Sequence, residues 1–216
     1  MTGISRDTCR DITRTDSVTT FAHTTSAGRT AQDDADWLRR VAYHEAGHAF
    51  ALWTGQLGFQ RISIVPDSDS DGASAGHCLG NPDPTWFDPD AAQRSVAVEG
   101  RLTRYALAAL AGAAAERHYC GGEAQVDNEV DRRVAIEYAD CLNGGPEETD
   151  AYLAWLLLRA EGVVASPRAT AAIPALAAAL LDRRTLSYRR AVAVMRQGIQ
   201  RAFGLASPEI APHDQE

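Results

Sequence analysis

Lysine is missing altogether from this chain of 216 residues: all 21 of its basic side chains are arginine. That absence excludes Schiff-base chemistry, a lysine general base and the phosphate-cradling lysine of a P-loop, so no Walker-type ATPase is expected within the chain. Cysteine is scarce as well. Cys9, Cys78, Cys120 and Cys141 form no CxxC pair, which is too sparse for a secreted disulfide framework and reads as four reduced thiols in a cytoplasmic chain. The N-terminal stretch lacks the apolar core of a secretory signal. The longest apolar run, 170–181, is closed by Asp182 and is too short to span a bilayer. Positive charge is also in deficit. A net charge of -8 and a pI near 5.2 argue against nucleic acid or an anionic membrane surface as the main partner.

What is present is an ordinary globular composition, 45% hydrophobic and 23% charged, in one domain's length of chain. Residues 1–30 are crowded with Thr and Ser and carry few large apolar groups, so they read as a flexible tail; 206–216 read as a disordered C-terminal tail. Between them, 31–205 read as a single mainly α (α+β) domain. A helix capped by Asp33 or Asp34 carries Trp37, Val41, Ala42, Ala49 and Leu52 at helical spacing and ends at Gly55. A strand at 61–65 and a return strand at 74–79 form a small hairpin. Five further helices are expected at 95–119, 127–142, 147–164, 167–181 and 187–203, with Pro174 kinking or dividing the fourth. The acidic run Asp67-Ser68-Asp69-Ser70-Asp71-Gly72 lacks the glutamate that a calcium loop carries at its twelfth position, where Cys78 stands, and reads as a solvated turn.

The informative residues are Val41-Ala42-Tyr43-His44-Glu45-Ala46-Gly47-His48. Four residues apart on a helix, His44 and His48 lie on one face, one turn apart, and can share one zinc ion. Glu45, between them, is placed to take a proton from the attacking water rather than to bind the metal. Gly47 supports a packed helix over a solvated one. A glycine in a helix interior costs about 1 kcal/mol relative to alanine, and with Ala46 it makes a smooth patch for the close approach of another backbone. A catalytic zinc needs a third protein ligand. His77, His118 and His213 are isolated in the sequence, so a carboxylate is expected. The favoured candidate is Asp131, heading a helix face that is otherwise apolar through Ala135 and Ala139. Asp127, which also reads as a helix N-cap, Glu116 and Glu137 are the alternatives.

These segments, taken in order, resemble the peptidase domain of the FtsH-type ATP-dependent zinc metalloproteases (peptidase family M41). The resemblance runs over about residues 35–200. It rests on Val41-Ala42-Tyr43 ahead of the His44-Glu45-Ala46-Gly47-His48 motif and on Arg61-Ile62-Ser63-Ile64-Val65-Pro66 after it. Leu110-Ala111-Gly112-Ala113-Ala114-Ala115-Glu116 and Asp131-Arg132-Arg133-Val134-Ala135 follow, and then Leu176-Ala177-Ala178-Ala179-Leu180-Leu181 with Thr185-Leu186. It implies a zincin-like M41 fold, one Zn2+ per chain on His44, His48 and Asp131, and Glu45 as the base of a peptidase. The family's ATPase module and membrane anchor are not expected here, which leaves flexible or unfolded protein as substrate, or an ATPase partner in trans. The strand near Ile62 to Val65 would offer an open edge for an extended peptide. Two other readings compete: a catalytically inactive peptidase-like module that binds a partner or regulates a protease, and a metal-dependent amidohydrolase acting on small substrates.

Overall fold

The computed structural model describes residues 31–66, 76–80, 95–126 and 128–204. Both tails, the acidic run 67–72, the prolines at 82, 84 and 89 and Asp127 lie outside the described residues. The order is α1 (Ala31–Thr54), β1 (Phe59–Ser63), β2 (His77–Gly80), α2 (Val96–Cys120), α3 (Glu129–Asp140), α4 (Pro146–Val164), α5 (Pro167–Arg183), β3 (Thr185–Ser187) and α6 (Tyr188–Phe203). The architecture is mainly α, with five helices after the hairpin as the periodicity predicts. No single helix among the described residues is long and apolar enough to cross a membrane.

Helix α1 is the centre of the molecule. From Val41 to Leu52 only Tyr43 is more than marginally exposed, because α2 packs on one side, α5 on another, and the sheet covers a third. A helix enclosed on all sides must bury whatever polar groups it carries, so His44, Glu45 and His48 are all fully buried. Gly47 explains how α2 comes so near: a Cβ there would lie 2.5 Å from the Ala111 carbonyl oxygen and 2.6 Å from the Ala115 Cβ. The smooth patch expected from the sequence is therefore the α1–α2 crossing. Helix α2 starts on Ser95, whose Oγ accepts from the Val98 amide at 3.3 Å, and stops at Gly121, with φ 72°.

The sheet corrects one expectation. Its order is β2-β1-β3, antiparallel throughout, so β1 is the central strand and offers no open edge over Arg61–Ser63. Ile62 pairs with Cys78 on one side and Leu186 on the other, and the Ser63 and Thr185 hydroxyls lie 2.8 Å apart. The covering strand β3 has three residues and follows Arg184, whose φ of 65° turns the chain out of α5. Thr185-Leu186 therefore belongs to the sheet. Other differences are local. Helix α5 runs unbroken through Pro174, whose missing amide would have faced the carbonyl of Thr170, an exposed residue that water can satisfy. Helix α3 takes Asn128 as its N-cap, without a side-chain bond. Cys78 and Cys120 are free thiols, but Cys141 is disulfide-bonded, against the expectation of four free thiols; spacing along the chain does not tell which thiols meet in space.

Candidate metal centre

The folding of α3 against α2 carries Asp131 to the two histidines of α1. Asp131 Oδ2 lies 2.9 Å from His44 Nε2 and 3.2 Å from His48 Nε2. One ligand atom from each of the three residues lies within 4.8 Å of the other two, and all three side chains are buried. The two Nε2 atoms and a carboxylate oxygen thus converge on one point.

The far side of each imidazole is held. His48 Nδ1 donates to the Ala108 carbonyl of α2 at 2.8 Å, and His44 Nδ1 faces Glu116 Oε2 at 3.4 Å. A proton engaged on Nδ1 would leave the Nε2 lone pair for a metal ion, the tautomer a ligand requires. Glu116 is in turn fixed by Arg40 at 3.1 Å and by the Gln125 amide at 2.7 Å. Burial alone would raise the Glu116 pKa; the hydrogen bonds from His44, Gln125 and Arg40 outweigh it and hold the carboxyl below its ordinary value. Glu116 therefore stands behind His44, outside the cluster of His44, His48 and Asp131. Glu137 lies outside the cluster, Asp127 lies outside the described residues, and His118 is exposed in the last turn of α2.

Charge in the pocket favours a cation. Burial opposes charging His48, yet the Asp131 and Glu45 carboxylates outweigh it and hold the imidazole above its ordinary value. Cys78 on β2 is pushed well above the ordinary thiol range, first by burial and then by Glu45 and Asp131. The same two carboxylates, Glu45 and Asp131, stand behind both shifts. Glu45 is approached closely by the residue ahead of β2: a Cβ on Gly76 would lie 3.0 Å from its Oε1.

Gly112 is the site residue that motif reading passes over. A Cβ at this position on α2 would lie 2.3 Å from His48 Nε2 and 2.5 Å from His44 Nε2, filling the space into which both nitrogens point. A glycine inside an alanine-rich helix was the available signal, by the same argument that applies to Gly47. Two converging imidazoles, each engaged through Nδ1, a buried carboxylate and a cradle without a Cβ together fit a metal ion. No protein-family model matches this chain, and no curated protein matches it by sequence.

Proposed function

We propose that the chain is a zinc-dependent peptidase of the FtsH-type M41 kind. The observation that carries this reading is the convergence of His44 Nε2, His48 Nε2 and Asp131 Oδ2, with Glu45 one residue from the first histidine on the same buried helix. Two nitrogens and one oxygen suit zinc, leaving its fourth position for water or substrate. His44, His48 and Asp131 would hold the ion, which supplies Lewis acidity to the scissile carbonyl and acidity to a water. Glu45 takes the proton of the attacking water and passes it to the departing amide nitrogen, so the new carboxyl and amine leave with atoms balanced. Glu116 and the Ala108 carbonyl keep the imidazoles turned toward the centre while this happens. The resemblance of 41–48, 110–116 and 131–135 to that family adds to the reading. On this reading the substrates are flexible or unfolded protein segments, or are delivered by an ATPase in trans.

The test is cleavage of unfolded casein by zinc-loaded protein beside Glu45→Gln. The variant should keep its zinc and lose a factor of about 10²–10⁴ in kcat. Equal rates in the two proteins would overturn the mechanism. Retained zinc with no cleavage by either protein would favour the partner-binding module.

A further inference from the structure

Positive charge, scarce in the chain as a whole, is concentrated at one edge of the sheet. Residues 182–204 hold six arginines and one acid, a local charge of +5 in a chain of net charge -8, so the remainder carries -13. The one acid of that stretch, Asp182, already faces Arg183 at 3.6 Å. Helix α6 contains no acidic residue, and its four arginines are all exposed. Positions seven and eleven apart return to nearly the same side of a helix. Arg189 and Arg196 therefore form one rail and Arg190 and Arg201 another, with Ala193 and Gln197 exposed between them and Met195 and Ile199 buried beneath. Arg183 and Arg184 at the end of α5 extend this face, and so does Arg61 of β1, which pairs with Ser187 at the start of α6. Like charges gathered on one face repel one another and contribute nothing to the fold, so an anionic counterpart is what gives the arrangement a use.

We propose that this face captures an acidic stretch of the protein substrate, flanking the segment that enters the metal centre. The inference rests on the peptidase reading. Position is the first argument. Strand β2 follows Gly76, which approaches Glu45, and β3 lies on the other side of β1, so the sheet joins the site to the arginines over two strand spacings, about 10 Å. An extended chain crosses that distance in about three residues. Charge is the second: a guanidinium pairs with a carboxylate through two parallel N–H donors, and every basic side chain on this face is arginine. Length is the third. Helix α6, with 16 residues, is about 24 Å long, the span of about seven extended residues, so it suits a short acidic run. A nucleic acid strand is a longer, uniform polyanion that the remaining -13 repels, and no exposed aromatic stands between the rails for a base to stack on.

The experiment measures binding of labelled peptides to the full chain as zinc-loaded Glu45→Gln, which needs no turnover, with cleavage by zinc-loaded wild type alongside. The peptides share one central segment and carry a flank of glutamates or of glutamines; an oligothymidylate is the nucleic acid probe. At low salt the glutamate peptide should bind at least about tenfold tighter than the glutamine peptide, with the difference fading at high salt. Arg189→Gln, Arg190→Gln, Arg196→Gln and Arg201→Gln together change only exposed positions and nearly preserve helix propensity. They should bring the two peptides to within about twofold of each other, with helical circular dichroism retained. In wild type KM should follow the same order as binding, while kcat differs less than about twofold between the peptides. If the preference and its loss in the quadruple variant are found but nothing is cleaved, the peptidase reading fails and the acidic docking face stands. Cleavage with equal affinity for the two flanks overturns the face and leaves the peptidase. An oligothymidylate that binds tighter than the glutamate peptide, and releases in the quadruple variant, assigns the face to nucleic acid and also overturns the proposal.

Discussion

The two faces of α2 are built from nearly the same residues and are packed very differently. Toward α1, Ala108, Ala111, Gly112 and Ala115 let the backbones approach until a carbonyl of α2 caps His48 and no space remains for a Cβ on Gly47 or Gly112. Toward α4, Ala113 and Ala154 leave a groove open to water. Small side chains do not by themselves mean close packing. They close a gap where the facing helix also carries a glycine, and they leave one where the facing helix presents leucines. Asp131 sits where the closed face meets the open one, which is why a buried carboxylate also borders solvent.

The largest effect should come from forcing the closed face apart. Gly47→Leu drives a side chain into the Ala111 carbonyl and the Ala115 methyl, and overpacking of this kind should cost about 3 kcal/mol, a fall in Tm of about 10 °C by calorimetry. Gly112→Ala is subtler. Its methyl intrudes on both Nε2 atoms, so zinc affinity measured by chelator competition should fall by at least about a hundredfold with the helical circular dichroism retained. Full zinc affinity in this variant would show that the ion sits elsewhere.

Glu116→Gln keeps the shape behind His44 and removes the charge. Affinity for zinc should drop about 10–100-fold, as is usual when the partner of a metal-bound histidine is lost. Because the Glu116 carboxyl is held below its ordinary value, it adds stability that is present above the ordinary carboxylate range and lost as pH falls through its depressed value. The stability difference between wild type and Glu116→Gln should therefore shrink on acidification, as followed by denaturant midpoints at several pH values. The smallest effect concerns access. Cys78 is fully buried against the negatively charged pocket while Cys120 is partly exposed, so alkylation mapped by mass spectrometry should label Cys120 first in the native protein. Labelling of Cys78 at an equal rate would mean that the sheet side of the site is open.

Local chemistry is what could be read in advance. The α1 face, the Ser95 start of α2, the glycine crossing at Gly47 and the place of Asp131 beside His44 and His48 all follow from spacing and composition within short stretches. What escaped depends on partners far along the chain. The central position of β1 is decided by β3, three residues lying more than 120 positions downstream, too short to announce itself by alternation. Glu116 could be weighed only as an acid in an apolar helix; its place behind His44 depends on the α1–α2 crossing. Gly112 belongs to the site by what it lacks, and a motif of ligands does not record an empty space. The disulfide at Cys141 is likewise a matter of spatial proximity that sequence separation does not encode.

The most direct test is the zinc content of purified protein by elemental analysis, for wild type and Asp131→Ala side by side. The account predicts about one zinc per chain in wild type and loss or marked weakening in the variant, with the helical fold kept. Zinc bound equally by Asp131→Ala, or none in wild type after reloading under reducing conditions, would contradict a centre built on His44, His48 and Asp131.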